Sequence, residues 1–477
     1  MKRWLCILLA CMLLPLAATA ETITLSPGRP QVLTLWHYYN GVQQQTFDRL
    51  VLEFNETVGM ERGIVIVPVS QGSVNGLTDR LMAAARRDTG ADKMPDIFAA
   101  YADTAHAVNQ MGLVADLSRY LTPEEYGAYM APYLHEGQLG EEGSLKVFPI
   151  AKSTEMLLVN KTEWDVFSVA TGVQVEQLAT WEGLCEVAHA YYEWTDAQTE
   201  APHDGKAFFG RDAFANYMLI GSLQLGVEMF QVEQGEMTLH IDEAVMRRLW
   251  DNYVVPYVNG WYGVYGRFRS DDVKTGQLAA LVGSTSGAMY FPSEVTRDDG
   301  TSYPIQSLAL PLPNFAGTEP CAVQQGAGMV VSKSTPEKEY AATVFLKWIT
   351  QPEHNIAFSL NSGYLPVTKA ANDPVTLNAA MDAQQVTGLL RDIITTGVTI
   401  TTTYRLYTND AFDRGYEARM VVDTSMQKAA DEALAERRRR VAAGEDFALV
   451  VAELTGEDAF QRWLADFRAD MELVLMP

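Results

Sequence analysis

Val32-Leu33-Thr34-Leu35-Trp36, Ile64-Val65-Ile66-Val67 and Pro95-Asp96-Ile97-Phe98 are three short apolar runs, and what lies between them decides the fold. After Asn40-Gly41, the apolar positions Phe47, Leu50, Val51 and Phe54 recur at helical spacing; before the third run, Leu77, Leu81 and Met82 do the same. Each run reads as a short buried strand. Strand, helix, strand, helix, strand in that order predicts a parallel sheet with crossover helices.

Outward from this block the pattern repeats late in the chain. Val147 to Ile150 and Met156 to Val159 read as strands and lead into a long helical middle. Strand patterns return at Ser307 to Leu312 and at Gly328-Met329-Val330-Val331. Behind them Ala342, Phe345, Leu346 and Ile349 share one helix face. From Tyr416 through Leu475 the chain reads as mostly helical. No linker rich in Pro or Ser divides these blocks, and no internal repeat is visible. A late return to strands without a linker predicts an α/β protein of two lobes joined by several crossings, with a cleft between them. The expected division is 21–148 with 308–350 for the first lobe, and 149–307 with 351–477 for the second.

Composition narrows the partners. The 477 residues carry 36 Lys plus Arg against 60 Asp plus Glu, a formal charge of −24. Such a surface repels phosphate backbones and anionic lipid, which argues against a nucleic-acid partner. With 48% apolar residues the chain can bury a sizeable core, so disorder is excluded.

The first residues give an address. Lys2 and Arg3 precede an apolar run from Trp4 to Ala18, and Ala18-Thr19-Ala20 is followed by Glu21. This order predicts an export signal cut after Ala20 and hence a periplasmic protein. Pro15 interrupts a run already shorter than the ~20 residues of a membrane span. Leu8-Leu9-Ala10-Cys11 offers an alternative, lipidation at Cys11, but leaves an apolar stretch shorter than the ~7–15 residues a signal uses. Cleavage after Ala20 removes Cys6 and Cys11. Cys185 and Cys321 remain, either as two separate buried thiols or as one disulfide, the thiols being the reading preferred. With a scattered handful of His they make no metal-ligand spacing.

Catalytic motifs are sparse. Gly283-Ser284-Thr285-Ser286-Gly287 has the outline of a nucleophile elbow, but its middle residue is threonine and no strand is expected before it. His135-Glu136 lacks the second histidine of a helical zinc motif, and no phosphate-binding loop is present. The adjacent pairs Asp271-Asp272 and Asp298-Asp299 read as solvated loop charges. Arg437 to Arg440, beside Asp431, Glu432 and Glu436, reads as a solvated helix face. No enzyme, cofactor or metal follows from these residues.

Several blocks in order carry a resemblance: Leu35-Trp36-His37, Pro95-Asp96-Ile97-Phe98 with Gly112 to Leu117, Phe148-Pro149-Ile150 with Leu157 to Lys161, Gly287-Ala288-Met289, and Leu310 to Pro313. Over about residues 32 to 440 the chain resembles the bacterial extracellular solute-binding proteins, family 1, that feed ABC importers. The resemblance implies a type II periplasmic-binding-protein fold, each lobe a mostly parallel sheet flanked by helices. It also implies a monomer that captures a small molecule by hinge closure and hands it to an inner-membrane ABC permease.

Gly363 to Ala371, Tyr265-Gly266-Arg267 and Tyr404-Arg405-Leu406 further resemble the glycerol-3-phosphate-binding subfamily. That likeness implies ligand contacts at Ser153, Ser293, Gly326, Tyr364 and Arg405. The chain departs from the subfamily where a tyrosine becomes Ser70 and where a glutamate gives way to Ala102 or Asp103, positions that hold the glycerol part. A phosphate ester wants a guanidinium fork, hydroxyls and free backbone N–H groups, which Arg405, Tyr364, Ser293 and Gly326 supply, with Lys152 as added charge. The aromatic residues Trp36, Tyr101 and Tyr262, near strand ends, suit the C–H faces of sugars. The sequence thus leads to a binder of glycerol-3-phosphate or a glycerophosphodiester, with a neutral sugar as the alternative and an exported hydrolase behind it.

Overall fold

The computed structural model describes residues 23–476 apart from 234, 235 and 298. The export signal expected over 1–20, with Cys6 and Cys11, lies outside the described residues. Among the described residues no helix is long and apolar enough to cross a membrane.

The strands, in chain order, are β1 (Gln31–His37), β2 (Ile64–Ser70), β3 (Ile97–Ala100), β4 (Glu155–Asn160), β5 (Phe209–Arg211), β6 (Phe230–Glu233) and β7 (Glu236–Leu239). There follow β8 (Ala280–Ser284), β9 (Glu294–Thr296), β10 (Ser302–Pro304), β11 (Ser307–Pro311), β12 (Cys321–Val323), β13 (Gly328–Val331) and β14 (Arg405–Tyr407). Two four-stranded sheets, β13-β3-β1-β2 and β11-β4-β8-β5, form the two lobes.

The first sheet follows the expected pattern. β1 runs parallel to both β2 and β3, and only β13 is antiparallel. The helix Gly41–Phe54 buries Phe47, Leu50, Val51 and Phe54, the residues whose spacing predicts it. β2 differs from the fully buried strand expected. It is an edge strand: Ile64 and Ile66 point into the core, while Val65, Val67 and Val69 point outward and are partly exposed.

The second sheet departs from the mostly parallel expectation. β4 is antiparallel to both β11 and β8, and only β5 with β8 is parallel. All six residues of β4 are buried because both faces of this sheet are covered. Leu157 and Val159 join the large core of the second lobe, whereas Met156 and Leu158 pack with Ile393 and Ile400 of the helix Gly388–Thr403. Val147 to Ile150, read as a strand, contributes only an isolated bridge from Phe148 to Met329. A strand does precede Thr285, contrary to expectation, and the Ser284 side chain caps the short helix Thr285–Ala288 that follows.

The division of the chain is more interlaced than 308 and 351 suggest. β11 pairs with β4 in the second sheet, and β13 returns to the first. Phe358, Tyr364 and Val367 belong to the first lobe's core. Three crossings meet side by side at the hinge: Lys152 bridges to Leu365, and Ser153 to Gln325. The last helices, Gly415–Ala442, Phe447–Thr455 and Glu457–Leu475, close the second lobe's core through Val422, Met426, Trp463 and Phe467.

Candidate functional site

β1 and β3 end side by side, and their next residues are tyrosines. Tyr38 and Tyr39 follow β1, and Tyr101 caps the helix Ala102–Gln110 after β3. Carboxyl ends of parallel strands are where open α/β sheets leave a crevice, because each chain turns away there. The Tyr38 ring lies 5.1 Å from Tyr39 and 6.5 Å from Tyr101, nearly parallel to the latter. Its hydroxyl meets that of Tyr364 at 3.2 Å. Tyr364 in turn stacks on Phe358, 6.1 Å away. Tyr38, Tyr39 and Tyr364 are buried, whereas Tyr101 is 37% exposed. Burial holds all four phenols above their ordinary range, so they act as neutral hydroxyls.

The second lobe brings charge to one end of its own strands. Glu155 at the start of β4 stands opposite Ser284 at the end of β8, and β5 ends alongside at Arg211. Arg211 donates through Nη2 to both Glu155 oxygens at 3.0 Å, and Asn216 donates to Oε1 at 2.8 Å. Arg419, from the long helix Gly415–Ala442, donates to Asn216 Oδ1 at 2.6 Å.

The two halves meet at Asp103. Burial raises its carboxyl to about 6, opposed by the Arg419 charge and helped by Glu136 and Glu417. Asn409 Nδ2 lies 3.4 Å from Asp103 Oδ2, and Oδ1 is buried with no partner. A methyl group on Gly415 would sit 3.3 Å from that oxygen, so the second lobe's helix begins in contact with the first lobe's.

The hinge accounts for three expected ligand contacts. Lys152 is 1% exposed, pairs with Glu136, and donates to the Gly326 carbonyl at 2.9 Å. Gly326 has φ +98°, and a Cβ there would stand 2.9 Å from the Ala151 carbonyl. Ser153 is buried and bound through its backbone to Gln325. Lys152 charge is therefore committed to holding crossings together.

The remaining expected residues scatter. Ser70 Oγ donates to the Tyr39 carbonyl at 2.7 Å, which ties it to the tyrosine cluster. Trp36 is buried in the first lobe's core, and Tyr262 is 1% exposed in the second's, where its ring meets Phe209 at 4.9 Å. Ser293 is exposed, and its carbonyl accepts from Ile305. Arg405 is exposed on β14, held by its backbone N–H to the Pro320 carbonyl. The structure therefore brings together Ser70, Tyr101, Asp103 and Tyr364, and does not join Ser293 and Arg405 to them. Arg419, Asn216 and Glu155 were not singled out by sequence. The one local signal for Arg419 is its place four residues after Gly415, at the start of a helix.

Cys185 and Cys321 are free thiols, raised by burial to about 12 and about 11. Among the described residues no group of three or more His, Cys, Asp or Glu could hold a metal ion.

Residues 49–385 match the family described as bacterial extracellular solute-binding protein. The chain belongs to that family. As a solute-binding protein it serves an ABC importer, takes a small-molecule ligand, has an ABC permease as partner, and works in the periplasm or outside the cell. No curated protein is significantly similar to it in sequence.

Solved structures share its fold over nearly its whole length. The cyclic alpha-maltosyl-1,6-maltose binding protein from Arthrobacter globiformis is 16% identical, with 94% of this chain and 99% of that one covered and a TM-score of 0.66. UgpB from Mycobacterium tuberculosis, in complex with glycerophosphocholine, is 17% identical, with 94% and 100% covered and a TM-score of 0.66. The maltotriose binding protein of Thermus thermophilus is 13% identical, with 93% and 100% covered and a TM-score of 0.56.

Proposed function

We propose that this solute-binding protein captures a neutral oligosaccharide between its lobes and releases it unaltered to its permease. One observation carries the reading: Tyr38, Tyr101 and Tyr364 cluster at the carboxyl ends of β1 and β3, beside the unpartnered oxygen of Asp103. Flat rings pack on the C–H faces of sugars, and a carboxylate accepts from their hydroxyls. Tyr101 and Asp103 serve as first-lobe contacts in this reading, with Arg419 and Asn216 opposite. The surrounding charge agrees. Asp103, Asp410 and Glu417 outweigh Arg419, and Glu136 already pairs with Lys152, so an anionic solute meets a field of its own sign.

A glycerophosphodiester is the second reading, and Arg419 is the observation that favours it, since its guanidinium could hold a phosphate. A thermal-shift panel separates the two. Maltotriose and longer maltodextrins raise the melting temperature, whereas glycerol-3-phosphate and glycerophosphocholine do not. Stabilisation by the glycerophosphates alone overturns the sugar reading. Tyr101→Ala weakens sugar affinity about tenfold by removing a stacking face.

A further inference from the structure

Four polar side chains from four elements lead from the interior of the second lobe to the gap between the lobes. Arg211 at the end of β5 pairs with Glu155 on β4. Glu155 accepts from Asn216 on the helix Phe214–Gln224, and Asn216 accepts in turn from Arg419 on the helix Gly415–Ala442. Arg211, Glu155 and Asn216 are buried, Asn216 to 1% exposure, whereas Arg419 is half-buried. Asn216 therefore reaches the gap only through Arg419.

The choice of partner made by Arg419 needs a cause. Gly415 abuts Asp103, and Arg419, four residues on, lies on the same helix face. Its charge acts on the Asp103 carboxyl, yet Asp103 Oδ1 is buried with no hydrogen-bond partner. A guanidinium free to move would favour the carboxylate, which adds a second charge and can take two parallel bonds. Arg419 bonds a neutral amide instead. That amide cannot turn, because Glu155 only accepts and Arg419 only donates: Nδ2 must face the first and Oδ1 the second.

We propose that Asn216 is a positioning residue that holds Arg419 short of Asp103, so that the two charges do not join the lobes by themselves and a solute hydroxyl completes the link between them. The hydroxyl's part rests on the oligosaccharide reading; the restraint on Arg419 does not.

The gap suits a hydroxyl, which accepts from Arg419 and donates to Asp103 in a single contact. A phosphate would satisfy the guanidinium but meet the carboxylate with charge of its own sign. The helix carrying Asn216 is anchored independently of that side chain. Its Ala215 N–H donates to Asp423 Oδ1, one turn beyond Arg419, at 2.7 Å, and Glu155 keeps both bonds from Arg211 when Asn216 is shortened.

The test measures the interlobe distance without solute at about pH 8, where Asp103 is ionised. Spin labels are placed on the exported protein at Glu61→Cys in the first lobe and Glu200→Cys in the second, both exposed, with Cys185→Ser. Asn216→Ser leaves a hydroxyl that serves Glu155 but is too short to hold Arg419 as well. Freed, Arg419 pairs with Asp103, and the closed-to-open ratio rises about fivefold, as one partly exposed pair allows. Asn216→Ala, which keeps neither bond, gives the same rise. The rise is absent when Asp103→Asn or Arg419→Leu is added, a cancellation that a merely structural role for Asn216 would not produce. An unchanged ratio in both Asn216 variants overturns the restraint, as does a rise that persists with Asp103→Asn. A second arm adds maltotriose, whose affinity for Asn216→Ser falls about fivefold because the new pair occupies the hydroxyl's place. Undiminished maltotriose affinity in that variant overturns the hydroxyl's part. Failure of maltotriose to bind the unaltered protein strikes the sugar reading instead and leaves the distance measurement to decide the restraint.

Discussion

Tyr38 and Tyr364 hold their hydroxyls 3.2 Å apart across 326 positions of sequence. One residue follows the first strand, and the other follows the helix Pro352–Ser362 that returns to the first lobe. The bond fixes the floor of the tyrosine cluster, because each buried hydroxyl needs a partner. Tyr38→Phe and Tyr364→Phe should each cost about 1 kcal/mol, and the double variant less than their sum. Denaturant unfolding of the four proteins in the cycle checks this; additive losses would mean the hydroxyls do not interact.

Glu155 and Arg211 are each 1% exposed at the side chain and pair in the second lobe, with the guanidinium carbon 5.9 and 5.6 Å from the ring centres of Trp181 and Tyr217. Removing one charge leaves the other buried without compensation, which outweighs the modest net value of the pair itself. Glu155→Gln is expected to destabilise the protein by about 3 kcal/mol. Chemical denaturation measures it, and a loss below about 1 kcal/mol would contradict this electrostatic account.

His37 is fully buried, and neither ring nitrogen has a hydrogen-bond partner. Burial lowers its pKa to about 4, and Asp48, 4.0 Å away, is too distant to offset that. The native state thus resists a proton that the unfolded chain accepts near the ordinary 6.5. The resulting stability is fully present above about 6.5 and lost as pH falls toward about 4, to the extent of about 3 kcal/mol. Asp103 works in the opposite sense: its raised carboxyl costs stability above about 6, and that cost is relieved on acidification. His37→Phe is expected to flatten the acid side of the melting-temperature profile, and Asp103→Asn to steepen it. An unchanged profile in His37→Phe would exclude the buried imidazole as the cause.

How far the site could be read in advance varies from residue to residue. Tyr101 and Asp103 stand directly after a strand of strong local pattern, so their place at the carboxyl end of a strand was legible. Tyr364 follows a glycine in left-handed conformation at φ +69°, a turn that Gly-Tyr-Leu-Pro announces by itself. Arg405 and Arg419 sit fourteen positions apart, and local pattern could not choose between them. The choice depends on which side of the strand β14 and which turn of the following helix face the other lobe. Lys152 shows the same limit, because its carboxylate partner lies sixteen residues away on another element.

The sequence by itself determined the alternation of strands and helices, the faces that pack, and the absence of a recognisable catalytic motif. These depend on spacing within a few residues, where side-chain period and backbone geometry are coupled. Tertiary structure alone decided that the second sheet is largely antiparallel, that β2 is an edge, and that the loop before the long helix touches the opposite lobe. Such features arise from hydrogen bonds and charge pairs between segments tens to hundreds of residues apart, whose partners are chosen by the closing of the chain rather than by neighbours along it.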